Sequence, residues 1–84
     1  IPLFRVQPTY PREALRAGKT GYVTVRITVD ENGRVIEAKV VDSRPPRIFD
    51  AAAIKAVNKW KFKPRVVNGV AQQQVGETTI DFNL

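Results

Sequence analysis

The chain contains no cysteine and no histidine. Those two absences remove disulfide frameworks, thiolate sites and imidazole metal sites together, and they leave the redox compartment undetermined. No apolar run reaches the ~18 residues that would suggest a membrane-spanning helix, and no signal-peptide pattern opens the sequence. The first residue is Ile1 rather than Met, which predicts a piece of a longer protein. Acidic residues are few, and Asp30, Glu31, Glu37, Asp42, Asp50 and Asp81 fall on expected turns or outward positions. Without a histidine, a cysteine or a phosphate loop they compose no acid–base pair and no nucleophile, so the expectation is a protein that is not an enzyme and holds no metal or cofactor.

What is present fits one small domain. Eighty-four residues can fold alone but with a thin stability margin, because a domain of this size buries only roughly 60–70% of its unfolded surface. The net charge of +6 is concentrated: Arg44, Arg47, Lys55, Lys59, Lys61, Lys63 and Arg65 stand against Asp50 alone between residues 44 and 65. Such a stripe can bind phosphate, which makes a basic nucleic-acid module the alternative reading. Helix-face charge more often keeps a surface solvated, and interleaved exposed aromatics and a recognised nucleic-acid motif are both missing.

The organising stretch runs from Phe49 to Pro64. Phe49, Ala52, Ala53, Ala56, Val57 and Trp60 recur at three- and four-residue spacing, which places them on one stripe of a helix that must be buried. Asp50 suits the first turn, and Lys59, Lys61 and Lys63 are expected in the last turn, where the helix dipole favours cations. Pro64 is expected to end the helix. The alanines keep the stripe shallow enough for a sheet to approach.

Before it, Ile1-Pro2, Gln7-Pro8 and Tyr10-Pro11 restrain residues 1–10 to a stiff extended arm. Pro11 then opens a short helix, Arg12 to Ala17, that Gly18 ends. Tyr22 to Asp30 alternates, with Val23, Val25, Ile27 and Val29 on the dry face. Asn32-Gly33 signals a hairpin, and a two-residue loop there sets Val29 against Ile36, Ile27 against Ala38 and Val25 against Val40. A three-residue loop would bring Glu37 opposite Ile27, with a charge in the core. Residues 65–75 read as irregular or loosely extended, with a turn at Asn68-Gly69. Glu77 to Leu84 alternates again, with Ile80, Phe82 and Leu84 inward.

The expected fold is therefore α+β and two-layered. A three-stranded antiparallel sheet of order 2-1-3 carries one main helix on one face, joined as a split β-α-β unit, and a short N-terminal helix precedes it. The domain spans 1–84, with 1–10 as the arm and 11–84 as the folded core. In that order the last strand is an edge, and no proline, lysine or obvious bulge guards Glu77 to Leu84, which makes it a template for a visiting strand. Two readings stay open: a free binding edge, or one covered by the arm or by residues beyond this piece.

Gln7-Pro8-Thr9-Tyr10-Pro11, Gly21-Tyr22-Val23, Val29-Asp30-Glu31-Asn32-Gly33-Arg34-Val35, Phe49-Asp50-Ala51-Ala52, Trp60-Lys61-Phe62-Lys63-Pro64 and Ile80-Asp81-Phe82 together resemble the C-terminal domain of TonB energy transducers over essentially the whole chain. The resemblance implies a periplasmic domain on a protein anchored in the inner membrane through an N-terminal segment not present here, driven by ExbB and ExbD. Its partners would be TonB-dependent outer-membrane receptors for iron-siderophore, haem or cobalamin uptake. The receptor's box segment would add as a strand along Glu77, Thr78, Thr79, Ile80, Asp81 and Phe82, and a homodimer through the same edge stays open. Gln7, Pro8, Thr9, Tyr10 and Pro11 inherit a receptor-docking role by position, although Tyr10 also reads as a packing residue that pins the arm. Where some members carry arginine two residues after the Tyr-Pro proline, Glu13 stands here, preceded by Arg12, so whether Glu13 or Arg12 makes an ion pair with the receptor plug stays open.

Overall fold

A computed structural model describes residues 2–84; Ile1, the outermost residue of the expected arm, lies outside them. In chain order the elements are β1 (Pro2–Phe4), α1 (Arg12–Arg16), β2 (Gly21–Val29), β3 (Val35–Arg44), α2 (Asp50–Val57), β4 (Lys61–Phe62), β5 (Arg65–Val67), β6 (Val70–Gln72) and β7 (Gln74–Phe82). The fold is α+β. β2 lies between β3 and β7 and is antiparallel to both, which is the expected 2-1-3 order. Two smaller ribbons, β1 with β4 and β5 with β6, accompany the main sheet.

The core forms where the helical stripe meets the dry face of β2. Val23, Val25, Ile27 and Val29 are buried against Phe49, Ala53, Val57, Trp60, Ile80 and Phe82, as their spacing requires. Phe49 and Phe82 stack with ring centroids 4.4 Å apart, and Tyr10 meets both rings edge-on at 5.5 and 5.8 Å. The arm is thus fastened at its inner end by an aromatic cluster that joins helix, last strand and arm.

The β2–β3 connection departs from the expected two-residue loop. Asp30 and Arg34 close it through their backbones, leaving Glu31, Asn32 and Gly33 as a three-residue loop. Asp30 Oδ1 accepts from the amides of Asn32 and Arg34 at 2.9 and 2.8 Å, and Gly33 takes φ +84°, the left-handed position that ends such loops. Carried along the strands, that loop would bring Glu37 opposite Ile27. A bulge prevents this: Val29 pairs with Val35, Ile36 is extruded, and Ile27 again faces Ala38 and Val25 faces Val40. Ile36 is consequently exposed rather than inward.

Three further expectations are corrected. α2 ends at Val57 rather than before Pro64, because the chain is drawn out of the helix by Phe62 N–H donating to the Gly33 carbonyl at 2.8 Å and by β4 pairing with β1. Lys55 is therefore the basic residue of the last turn, and Lys61 lies in a strand. Residues 65–72 form a hairpin rather than irregular chain, turned by Asn68 and Gly69 at φ 51° and 77°. Finally, β7 starts earlier than expected, at Gln74, because β2 offers partners as far as Val29. It stops at Phe82 opposite Gly21, where β2 begins, so Leu84 has no strand beside it and is exposed.

Candidate functional site

β7 pairs with β2 along nine residues with no shift in register. Among the described residues no strand pairs with its other side. Every backbone group directed to that side needs an acceptor or donor from water or from another chain. Glu77, Thr78, Thr79, Ile80, Asp81 and Phe82 all lie on this strand, with Ile80 and Phe82 buried and Glu77, Thr79 and Asp81 exposed. The register is held from the solvent face of the sheet. Thr24 and Thr79 hydroxyls are 2.9 Å apart, and Arg26 donates to Glu77 Oε2 through Nε and Nη2 at 3.1 and 2.8 Å. Both members of that ion pair are about half exposed, so it aligns strands more than it stabilises them.

The same face carries a Tyr22 hydroxyl that donates to Asp42 Oδ2 at 3.0 Å. This bond, with lesser help from desolvation and the Asp42 charge and against the opposing Arg44, raises the Tyr22 pKa above the ordinary phenol value.

Trp60 connects the arm to the edge strand. Its indole is buried, its Nε1 donates to the Val6 carbonyl at 3.0 Å, and the Arg5 guanidinium lies 4.6 Å from the ring centroid. Two clefts open on either side of it along the rim of β7. The first, of about 250 Å³, is bordered by Ile27, Val29, Trp60, Phe62 and residues 74–78. The second, more polar, lies between Arg5, Val6, Gln7 and Pro8 of the arm and Thr79, Ile80 and Asp81 of β7.

Of the arm residues singled out in the sequence, Gln7 and Pro8 therefore face Thr79–Asp81 across the second cleft. Thr9 is on the far side, in a small recess between the arm, Lys55 of α2 and Lys59 just beyond the helix end. Tyr10 is turned inward, onto Phe49 and Phe82, and its hydroxyl donates to the Lys19 carbonyl. Pro11 is the N-cap residue of α1 and its carbonyl accepts from Leu15 N–H at 2.9 Å. The two groups of candidate residues thus meet at the surface through Gln7 and Pro8 and in the core through Tyr10 on Phe82. The cleft at residues 74–78 is absent from the sequence reading. Its one signal was Gly76, which fell outside the expected strand and inside the real one. Glycine within a strand often marks a place where something else approaches.

The comparisons with known proteins are consistent across sequence and structure. The chain is 42% identical over 74 residues to Protein TonB of Pseudomonas aeruginosa, an alignment that covers 86% of this chain and 22% of that protein. It is 41% identical over 76 residues to Protein TonB of Xanthomonas campestris pv. campestris, covering 90% of this chain and 33% of the relative. The fold superposes on the solution NMR structure of the Pseudomonas aeruginosa TonB CTD with a TM-score of 0.79 at 37% identity, covering 100% of this chain and 85% of that one. It superposes on the TonB2 protein of Vibrio anguillarum with a TM-score of 0.73 at 39% identity, covering 100% and 80%. The chain spans only a minor part of the curated relatives it matches. Residues 6–84 match the family described as Gram-negative bacterial TonB protein C-terminal, and the chain belongs to that family.

Proposed function

We propose that this domain is the receptor-docking end of a TonB-like energy transducer and that it grips an extended segment of an outer-membrane receptor by strand addition to β7. The observation that carries the reading is the outer side of β7, which has no strand partner among the described residues and contains neither proline nor bulge. Backbone hydrogen bonds, at a net ~0.5–1.5 kcal/mol each, hold a visiting strand with little regard to its side chains. The second cleft lets Gln7 and Pro8 touch the same segment from the arm. In this reading the domain is periplasmic, belongs to a protein held in the inner membrane and driven by ExbB and ExbD, and supports uptake of iron-siderophore, haem or cobalamin. It performs no chemistry of its own.

A synthetic receptor-box peptide titrated into the labelled domain is expected to move the amide NMR signals of residues 77–82 and 5–8, with little dependence on salt. Thr79 and Asp81 are two residues apart on an unbroken strand and so direct their amides to the same side. The Asp30–Arg34 backbone bond turns the even residues of β2 toward β3, which leaves that side free. Proline at either position is expected to abolish binding while leaving the β2 ladder intact. Full affinity in both proline variants would sink the proposed grip. Shifts confined to Lys55–Arg65 that fade steeply with salt would instead favour the phosphate-binding reading of the basic stripe.

A further inference from the structure

We infer that the 250 Å³ cleft at Gly76 is a side-chain socket: it receives one large apolar side chain of the strand that docks on β7, and so sets the register and the sequence preference of docking. The inference rests on the strand-addition reading and goes beyond it, since backbone pairing alone would accept any register.

Three observations carry it. The cleft is bordered by consecutive residues of β7, Gln74 to Thr78, whose side chains alternate between the two faces. A hollow that touches both sets lies at the strand's rim, where a neighbouring strand would run. Next, Gly76 pairs with Ile27 and so occupies an inward position in line with Thr78, Ile80 and Phe82. A Cβ built there meets no heavy atom within 4 Å. The inner face of β7 therefore lacks a side chain at this position, and the hollow bordered by Trp60 and Phe62 is what its absence leaves. Finally, the remaining walls are apolar and largely fixed: Ile27, Val29 and Trp60 are buried, and Phe62 packs on Trp60 at 6.4 Å. Apolar cavities of ~150 Å³ already accept benzene, so the volume suits a branched aliphatic or phenyl group.

Continuity with the open rim selects the occupant. A strand added to β7 sends alternate side chains into the helix-side layer, and the one opposite Gly76 has no other place to go. Beyond Trp60 the layer changes character, with Arg5, Gln7 and Asp81 on the walls of the second cleft. A docked segment is thus read as apolar at the socket and polar toward the arm, which also orients it.

The test is a double-mutant cycle between Gly76→Leu and the receptor-box peptide truncated to alanine at each apolar position in turn. Gly76 has no left-handed φ and open space for a side chain, so the variant keeps its fold, checked by its amide spectrum and melting temperature. In the unaltered domain one truncation is expected to weaken binding roughly tenfold to a hundredfold, with Trp60 emission reporting entry. In Gly76→Leu the intact peptide is expected to weaken at least tenfold and that same truncation to cost nothing further. Equal losses at every position, or unchanged affinity in Gly76→Leu while β7 amides still respond, would overturn the socket and leave strand addition standing. Absence of any β7 response in the unaltered domain would remove both. Loss of self-association without loss of peptide affinity would assign the hollow to a second copy and overturn the inference as well.

Discussion

Replacing Trp60 by alanine unfolds the domain or brings it close to unfolding. A buried Trp→Ala change costs about 3–5 kcal/mol through lost transfer energy and residual cavity. A chain of 84 residues has only about 4–13 kcal/mol in total at the usual 0.05–0.15 per residue. Here the loss also strands the Val6 carbonyl, which Nε1 now satisfies, and removes the surface under Arg5. The melting temperature, followed by far-UV circular dichroism, is expected to fall by roughly 12–40 °C. Trp60→Phe, which keeps most of the volume but not the N–H, is expected to lose much less. A fall of only a few degrees in Trp60→Ala would mean that arm, helix and sheet hold together without the indole.

The second large effect belongs to Gly33→Ala. Gly33 has φ +84°, and a Cβ there would stand 2.0 Å from the Phe62 carbonyl oxygen, while the Gly33 carbonyl accepts the Phe62 amide. The side chain must then push two backbones apart where no flexible group can yield. The left-handed conformation alone costs about 1–2 kcal/mol for an alanine, and the displacement of β4 adds to it, for a total of about 2–4 kcal/mol in chemical denaturation. Gly69→Ala is the matched control, since Gly69 has φ +77° but open space around it and should show the conformational cost alone. Equal losses at the two sites would mean that the approach of Phe62 to the loop contributes nothing.

These two positions also mark how far the residues could be read without coordinates. The alternation Val23-Val25-Ile27-Val29 and the stripe through Phe49, Ala53, Val57 and Trp60 are long enough to carry a period, and each lies in the core as expected. Ile36 misleads because a bulge flips side-chain parity, and nothing local announces it. The loop at Asp30–Arg34 and the bulge are two departures that cancel, so Ile27 still meets Ala38 although the reasoning from loop length reached that pair by another route. β1, β4, β5 and β6 have two or three residues each, too short for any repeat to declare itself. They are strands because of what lies beside them.

The site follows the same division. The place of β7 at the border of the main sheet could be reasoned from strand order. The meeting of Gln7 and Pro8 with Thr79–Asp81 could not, because the arm's course depends on β1 pairing with β4 and on the Trp60–Val6 bond. Gly76 escaped notice because the start of β7 is fixed by where β2 stops turning, a property of another segment.

The shortness of the β1–β4 ribbon has a mechanical consequence. Its register joins only Pro2 with Phe62 and Phe4 with Lys61, so a pull applied at Pro2 parts it with little resistance. The Trp60 Nε1 bond to the Val6 carbonyl gives way next, and residues 5–10 then pay out up to roughly 20 Å of contour until tension arrives at Tyr10, held edge-on against the stacked rings of Phe49 and Phe82. Single-molecule extension should record that slack as a short, low-force step ahead of the main rupture, a compliant leader in series with a stiff body.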